Sequence, residues 1–255
     1  MFNYMGRKIT DVAKLLVESQ GEKFAKIIEP FAGSAIATRQ FINEGVARKG
    51  VIGEANPVLL NIFEQIKNNP ESVLGKILEK SAGIETGTMY NRPNRITPEG
   101  VASIRNMMRQ QPQSAADTAA KDYIEAAVAE HYVPNKSGGN LIRPGMHMKS
   151  PEALTKDVEA YRMMLAKTKV HPNWKKAVAE TRPDDMLFVD PPYLGTRGYG
   201  KGGFQETEML AATIKELMGT PKKGVIYNSA AGAEKFPFLN WKKTNRPIDE
   251  YVAEF

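Results

Sequence analysis

A strand, a tight turn and a helix are predicted in succession by the sequence FAKIIEPFAGSAIATRQFI, residues 24–42. The apolar run Phe24–Ile28 is typical of a buried strand, and apolar residues such as Ile36 and Phe41 follow at helical spacing. Gly33 lies in the turn, where the absence of a side chain lets the backbone approach a ligand closely. The helix that follows offers unpaired N–H groups and the positive end of its dipole. Taken alone, this stretch also fits an ordinary strand–helix turn.

A second strand and helix follow directly. The short apolar run Gly50–Gly53 ends at Glu54, and helical spacing resumes between Val58 and Ile66. Glu54 follows Gly33 by 21 residues, the spacing at which an acidic side chain reaches a ribose diol across the crevice of a sheet. The full G-x-G-x-x-G pattern is missing, so a nicotinamide or flavin dinucleotide fits poorly. Glu54 alone is also compatible with a surface position.

The tetrapeptide Asp190-Pro191-Pro192-Tyr193 follows the apolar run MLFV at 186–189. A strand that ends at two prolines places a carboxylate, a carbonyl and an aromatic ring at one edge of a sheet. Because proline has a fixed φ and no N–H, the carbonyls around it are rigid and unpaired. Such groups can accept hydrogen bonds from an exocyclic NH₂ while the ring stacks on its heterocycle. The alternative is a plain Asp-Pro turn at a strand end.

The alternation of strands with helices predicts an α/β fold with a mainly parallel sheet covered on both faces. Residues 1–66 and 146–255 are predicted to form one domain of this kind. Residues 67–145 have a different pattern, with helices at Val101–Met108 and Ala115–Ala129, and are predicted to form a small helical insert.

The composition restricts the possible chemistry. The chain has 255 residues, of which 42% are hydrophobic and 25% charged, so a sizeable core can form. It lacks both an apolar run of membrane-spanning length (about 18 residues) and the apolar segment of a signal peptide. The net charge of +6 suits a polyanionic partner. The absence of cysteine excludes disulfides, zinc sites built on thiolates and iron–sulfur clusters.

These motifs, in this order, resemble those of the alpha group of Dam-type adenine-N6 DNA methyltransferases, from bacteria or phage. The cofactor turn, the acidic strand end and the DPPY tetrapeptide carry the resemblance, together with Tyr4-Met5-Gly6-Arg7-Lys8 at the start of the chain. Two departures are visible. Ala35 replaces a glycine often found in the family, and the residues from His171 to Trp174 occupy the region where relatives usually carry an acid.

The resemblance implies a Rossmann-like fold that binds S-adenosyl-L-methionine and moves its methyl group to the N6 amino group of a flipped-out adenine, with no metal. Cytosine C5 is excluded as the target because its methylation needs a cysteine nucleophile. The tetrapeptide residues Asp190, Pro191, Pro192 and Tyr193 are the expected catalytic residues. The residues expected to bind the cofactor are Tyr4, Lys8, Glu29, Pro30, Phe31, Ala32, Gly33, Ser34, Glu54, Asn56 and Asp190.

The expected partner is duplex DNA, bound in the cytoplasm of a bacterial cell or phage-infected host by a monomer or weak dimer. The helical insert 67–145 is expected to recognise the target. The residues expected to bind DNA are Lys8, Arg92, Arg95, Arg105, Arg109, Asn135, Lys136 and Arg197. The arginines of the insert are equally compatible with a solvated helix face.

Two other classes of function stay open at this point. One is an amino-group methyltransferase that acts on RNA, on cytosine N4 or on a protein glutamine. The other is an inactive DNA-binding module with the same fold, since a fold by itself does not establish an activity. The recognised DNA site, and the choice between a restriction-modification enzyme, a solitary host enzyme and a phage protection enzyme, are not determined by the sequence.

Overall fold

The computed structural model describes residues 9–19, 21–89, 91–129, 140–192, 206–244 and 250–255. In chain order its elements are α1 (Ile9–Glu18), β1 (Phe24–Glu29), α2 (Ile36–Asn43), β2 (Ala47–Gly53), α3 (Pro57–Asn68), α4 (Pro70–Ala82), β3 (Thr86–Met89), β4 (Arg92–Ile96), α5 (Pro98–Arg109), α6 (Ala115–Val128), α7 (Pro151–Ala166), β5 (Thr168–His171), α8 (Trp174–Val178), β6 (Met186–Val189), α9 (Thr207–Leu217), β7 (Lys223–Ser229), α10 (Ala230–Ala233), β8 (Lys242–Lys243) and β9 (Glu250–Glu254). Within the described ranges, every helix is too short or too polar to cross a membrane.

The chain divides into two compact units. Among the described residues, 9–55 and 167–255 form the sheet unit, and 56–166 form the helical unit. The helices α3 and α7 therefore belong to the helical unit, which is larger than the segment 67–145 singled out in the sequence. That segment's predicted role in target recognition stays a prediction.

The sheet unit is built on a seven-stranded sheet of order β5-β2-β1-β6-β7-β9-β8. The first five strands are parallel, and β9 runs antiparallel to both β7 and β8. Ile28 in the central strand β1 pairs with Val51 of β2 on one side and Leu187 of β6 on the other. The prediction of a mainly parallel α/β sheet is confirmed.

Both faces of this sheet are covered by helices, which explains the near-continuous apolar runs of its strands. On one face, Ile28, Leu187 and Ile226 are fully buried and form a cluster with Trp174 of α8 and Phe236. A second contact joins Phe24 of β1 to Phe41 of α2, with ring centroids 6.2 Å apart. Burial of these side chains is the main favourable contribution to folding of the unit.

The helical unit consists of α3 to α7 and a β-hairpin made of β3 and β4. Phe63 of α3 and Tyr161 of α7 are fully buried, with ring centroids 6.3 Å apart. The side chains of Thr97 and Ser114 cap the N-termini of α5 and α6. Each accepts a hydrogen bond from a backbone N–H of the first turn, which satisfies a group that would otherwise lack a partner.

Several short strands were not predicted from the sequence. Strand β5 has the sequence TKVH, with no apolar run, and becomes a strand because it pairs with β2. The hairpin of β3 and β4 lies within the segment 67–145, for which the sequence predicted only helices. Residues Asn91 and Asn94 there have positive φ angles, which asparagine tolerates better than most residues. The short strand β8 and the C-terminal strand β9 complete the edge of the sheet.

We expect two glycines of the helical unit to respond in opposite directions to alanine. A Cβ on Gly100 would clash with the carbonyl oxygen of Glu85, whereas a Cβ on Gly75 in α4 would have no neighbour within 4 Å. Gly100→Ala should lower the free energy of unfolding by about 1–3 kcal/mol because the backbone must shift. Gly75→Ala should raise it by about 0.5–1 kcal/mol through higher helix propensity.

Urea-induced unfolding, followed by circular dichroism, measures both changes. Equal effects of the two substitutions would contradict the close packing of α5 against the chain before β3.

Candidate functional site

The site lies at the carboxyl ends of the parallel strands in the sheet unit. From β1 the chain proceeds to β2 and then to β5 on one side of the sheet, whereas β6 and β7 lie on the other side. The strand order therefore reverses between β1 and β6. In parallel α/β sheets, ligands bind in the crevice at such a reversal, because the two adjoining loops leave the sheet in opposite directions. The segments after β1 and β6 are the two predicted motifs.

The turn after β1 is held by hydrogen bonds from its own amides. The Ala32 amide donates to the carbonyl oxygen of Gly53 at 2.9 Å, and the Ala35 amide donates to the Ala32 oxygen at 2.6 Å. Gly33 has φ +49°, a left-handed conformation that glycine adopts without penalty. Ala35 also has φ +49°, although it carries a Cβ. The departure from glycine seen in the sequence thus falls on a residue with a positive φ.

Glu54 contacts this turn directly. Its Oε2 accepts a hydrogen bond from the Gly33 amide at 2.9 Å, and its own amide donates to the carbonyl oxygen of His171 at 3.0 Å. The residue thus joins the ends of β1, β2 and β5. The spacing of 21 residues that singled out Glu54 corresponds to a real contact between the two strand ends.

The ends of these strands approach very closely at Gly53. A Cβ at this position would lie 2.5 Å from the Pro30 oxygen and 3.0 Å from the Asn173 oxygen. Only glycine allows the backbone segments after β1, β2 and β5 to meet in this way.

Glu29, the last residue of β1, is only 2% exposed. Its Oε2 accepts a hydrogen bond from the Thr38 amide in the first turn of α2 at 2.8 Å. Burial raises the pKa of the Glu29 carboxyl from 4.5 to about 7, and the negative charge of Asp190 adds to the increase. The hydrogen bond from the Thr38 amide partly offsets this increase. The two carboxyl groups therefore influence each other across the crevice.

Asp190 follows β6 directly and is partly buried, whereas the next residue, Pro191, is buried. Strand β6 is held in place on both sides, since Leu187 pairs with β1 and Val189 pairs with Ile226 of β7. The predicted carboxylate thus extends from a rigid central strand, beside the loop that contains Gly33.

Trp174, an aromatic residue that was not among the predicted site residues, lies beside the predicted Phe31 of the loop. Phe31 stacks on Trp174, with ring centroids 5.8 Å apart and an angle of 25° between the planes. The Trp174 indole donates a hydrogen bond to Oε2 of Glu206 at 2.7 Å, and Lys175 forms an ion pair with Oε1 at 2.6 Å. The one available signal for Trp174 was its place in the segment where this chain departs from its relatives. Nothing in the sequence pointed to Glu206.

Asn56 has a structural role at the start of the helical unit. Its Oδ1 accepts a hydrogen bond from the Val58 amide at 2.9 Å and caps helix α3, and Pro57 occupies the first helical position. This arrangement explains the Asn-Pro sequence by local helix chemistry. Its predicted contact with a cofactor stays a prediction.

The four predicted arginines lie on two neighbouring elements of the helical unit. Arg92 and Arg95 are on β4, which packs against α5, and Arg105 and Arg109 lie one turn apart on α5. Arg95 donates a hydrogen bond to the Gly145 oxygen at 3.2 Å, whereas the other three are exposed. Exposed guanidinium groups on adjacent elements can contact phosphates.

The structure thus brings together Glu29, the loop 30–34, Glu54 and Asp190 within the sheet unit. The remaining predicted residues, Tyr4, Lys8, Asn135, Lys136, Tyr193 and Arg197, lie outside the described residues.

A parallel sheet with a glycine turn after β1, an acid after β2 and Asp-Pro-Pro after β6 defines a Rossmann-like protein of the methyltransferase class. Residues 4–251 match the family described as D12 class N6 adenine-specific DNA methyltransferase. The chain belongs to this family, as the resemblance in its sequence indicated.

One relative is the Type II methyltransferase M1.LlaDCHI of Lactococcus lactis subsp. cremoris, which is 26% identical over 183 residues. The alignment covers 68% of this chain and 58% of the relative, so the chain spans little more than half of that protein's length.

The burial of Glu29 predicts a specific dependence of stability on pH. Because the pKa is about 7 in the folded protein and 4.5 ordinarily, the folded state binds more protons between these values. The contribution of Glu29 is fully present below pH 4.5 and is lost as the pH rises through 7. Relative to Glu29→Gln, the wild-type protein should lose about 3 kcal/mol of unfolding free energy between pH 4.5 and pH 8.

Urea unfolding of both proteins across this pH range provides the measurement. Parallel curves for the two proteins would show that the carboxyl group is not buried as described.

Proposed function

We propose that this chain transfers a methyl group from S-adenosyl-L-methionine to the N6 amino group of a flipped-out adenine in duplex DNA. Membership of the N6 adenine-specific DNA methyltransferase family supports the reaction and the substrate. The observation that carries the proposal is the position of Asp190-Pro191-Pro192 at the end of β6, next to the loop after β1, where the strand order reverses.

The residues of the sheet unit fit the cofactor by the chemistry of their groups. Glu54 has a carboxylate that can accept hydrogen bonds from a ribose diol, and it already contacts the glycine turn. Phe31 and Trp174 provide an aromatic wall beside the same turn. The proposed cofactor-binding residues are Tyr4, Lys8, Glu29, Pro30, Phe31, Ala32, Gly33, Ser34, Glu54, Asn56 and Asp190. When bound, the cofactor supplies a sulfonium methyl group for direct displacement.

Asp190 and Pro191 orient the amino group of the base in this proposal. The lone pair of an adenine amino nitrogen is delocalised into the ring, which makes it a poor nucleophile. The Asp190 carboxylate and the carbonyl of Pro191 accept hydrogen bonds from the two N–H groups of this nitrogen. These bonds favour a pyramidal geometry at the nitrogen. Pro192, with its fixed φ and no N–H of its own, ends the strand and keeps the backbone at the Pro191 carbonyl rigid. Positioning and preorganised electrostatics then supply most of the rate.

Access to the amino group requires that the nucleotide leave the base stack, which costs a few kcal/mol. In the proposal Tyr193 stacks on the flipped base and recovers about 1–3 kcal/mol of this cost. Lys8 contacts the flipped ring or the cofactor.

The proposed DNA contacts are made by basic and amide side chains, mainly to the phosphate backbone. They are Lys8, Arg92, Arg95, Arg105, Arg109, Asn135, Lys136 and Arg197. We propose that the protein acts as a monomer or weak dimer in the cytoplasm of a bacterial cell or phage-infected host. A restriction-modification role is the setting that the Type II relative suggests.

Asp190→Ala should reduce methyl transfer to duplex DNA by on the order of 100-fold or more, since it removes one of the two acceptors for the amino group. The measurement is transfer of labelled methyl groups from S-adenosyl-L-methionine, with N6-methyladenine identified by mass spectrometry. Asp184→Ala is a matched control, because this exposed residue lies at the opposite end of β6.

Full activity of Asp190→Ala would reject the assigned role of the carboxylate. Activity of the wild type on RNA, on cytosine or on a protein, but not on duplex DNA adenine, would reject the proposed substrate.

Removing the two exposed arginines of α5 should make DNA binding less sensitive to salt. Each phosphate contact contributes about 0.9 to the slope of log affinity against log salt concentration. Arg105→Ala combined with Arg109→Ala should therefore lower the magnitude of this slope by about 2. Fluorescence anisotropy with a labelled duplex measures the slope.

Arg48→Ala serves as the control, since Arg48 is exposed near the amino end of β2, far from the strand ends that form the site. An unchanged slope in the α5 variant would show that these arginines form an ordinary solvated helix face.

A further inference from the structure

The N-terminus of α2 lacks a cap of its own. Its N-cap residue is Ala35, which has no side-chain acceptor. Without such an acceptor, the first amides of a helix have no intrahelical partner. The acceptor comes instead from the sheet, since Oε2 of Glu29 accepts the Thr38 amide at 2.8 Å. A carboxylate at the end of the central strand thus caps the helix that follows the cofactor loop.

The same loop contains a residue in an unfavourable backbone conformation. Ala35 has φ +49° and ψ +40°, in the left-handed region where the Cβ crowds the following carbonyl. Such a conformation is retained only where surrounding contacts hold the backbone in it. The contact between Glu29 and the first turn of α2 lies on one side of Ala35, and the bond from the Ala35 amide to the Ala32 oxygen lies on the other.

We propose that Glu29 is a positioning residue, whose buried carboxyl group caps α2 and thereby keeps the loop 30–35 in the conformation that accepts the cofactor. This inference rests on the proposed function, and it replaces the direct cofactor contact proposed for Glu29 above with an action through the loop. Both ends of the loop are then held by carboxylates, with Glu54 at the Gly33 amide and Glu29 at the Thr38 amide.

The position of Glu29 separates this role from general support of the fold. Glu29 lies at the carboxyl edge of β1, between the loop and Asp190, whose charge acts on it. Asp185 is a fully buried carboxylate directly before β6, at the amino ends of the parallel strands. It accepts a hydrogen bond from the Arg182 amide at 2.9 Å. Removal of either carboxylate should reduce stability, but only removal of Glu29 should affect the loop.

The test measures binding of S-adenosyl-L-methionine to the full chain by isothermal titration calorimetry, with thermal unfolding of each variant in parallel. Glu29→Ala should weaken the affinity about tenfold, a change in the range expected from loss of a helix cap. Glu29→Gln keeps an acceptor oxygen of the same reach and should remain within about threefold of the wild type. Asp185→Ala should unfold at a lower temperature but bind with unchanged affinity.

A second substitution tests whether the conformation of the loop is what Glu29 controls. Glycine adopts the left-handed conformation readily, so Ala35→Gly should make the bound conformation of the loop more accessible. Added to Glu29→Ala, it should restore part of the lost affinity, by about threefold or more. If Glu29 served only general stability, Ala35→Gly would raise the unfolding temperature without restoring the affinity.

Equal affinities of Glu29→Ala and the wild type would overturn the inference, as would an equal loss in Asp185→Ala. These outcomes differ from failure of the proposed function, in which the wild type itself does not bind S-adenosyl-L-methionine. In that case the unfolding temperatures of the variants still test the capping role of Glu29. The inference is overturned if Ala35→Gly stabilises Glu29→Ala no more than it stabilises the wild type.

Discussion

The backbone amides of the turn between β1 and α2 need hydrogen-bond acceptors, and this need determines much of the site. Two of these amides are bonded to side-chain carboxylates outside the turn rather than to carbonyl oxygens within it. Glu54 accepts the Gly33 amide from the end of β2, and Glu29 accepts the Thr38 amide from the end of β1. An unsatisfied buried amide costs about 1–3 kcal/mol, so the conformation of the turn depends on both residues.

The order of the strands converts this local arrangement into a site. Because β1 and β6 are neighbours at the point where the strand order reverses, their carboxyl ends open into one crevice. The glycine turn and the Asp190 segment, about 150 residues apart in the chain, therefore lie side by side. Burial gives Glu29 a pKa of about 7, so a group beside Asp190 exchanges a proton near neutral pH. The stability of the sheet unit and the electrostatics of the crevice are consequently linked.

Much of the fold was predictable because its signals are contiguous. The apolar runs of β1, β2 and β6 mark parallel strands buried on both faces, and the strand–helix alternation indicates the α/β class. The confirmed family membership follows from the same motifs. The short strand β5 and the hairpin of β3 and β4 were missed, since their conformation comes from pairing with other segments. Alanine itself carries no signal for a left-handed turn, so the positive φ of Ala35 was indicated only by the glycine that relatives often have at this position.

The sequence by itself determined the class of fold, the order of the motifs and the residue types available at each strand end. These properties can be read from the sequence because they depend on short stretches of neighbouring residues and on their periodicity. Only the tertiary structure decided that Glu29 is buried against the first turn of α2 and that Trp174 joins Phe31 to Glu206. The two contacts of Trp174 join residues far apart in the chain. Burial, which changes the pKa of the Glu29 carboxyl group, exists only once the helices cover the sheet.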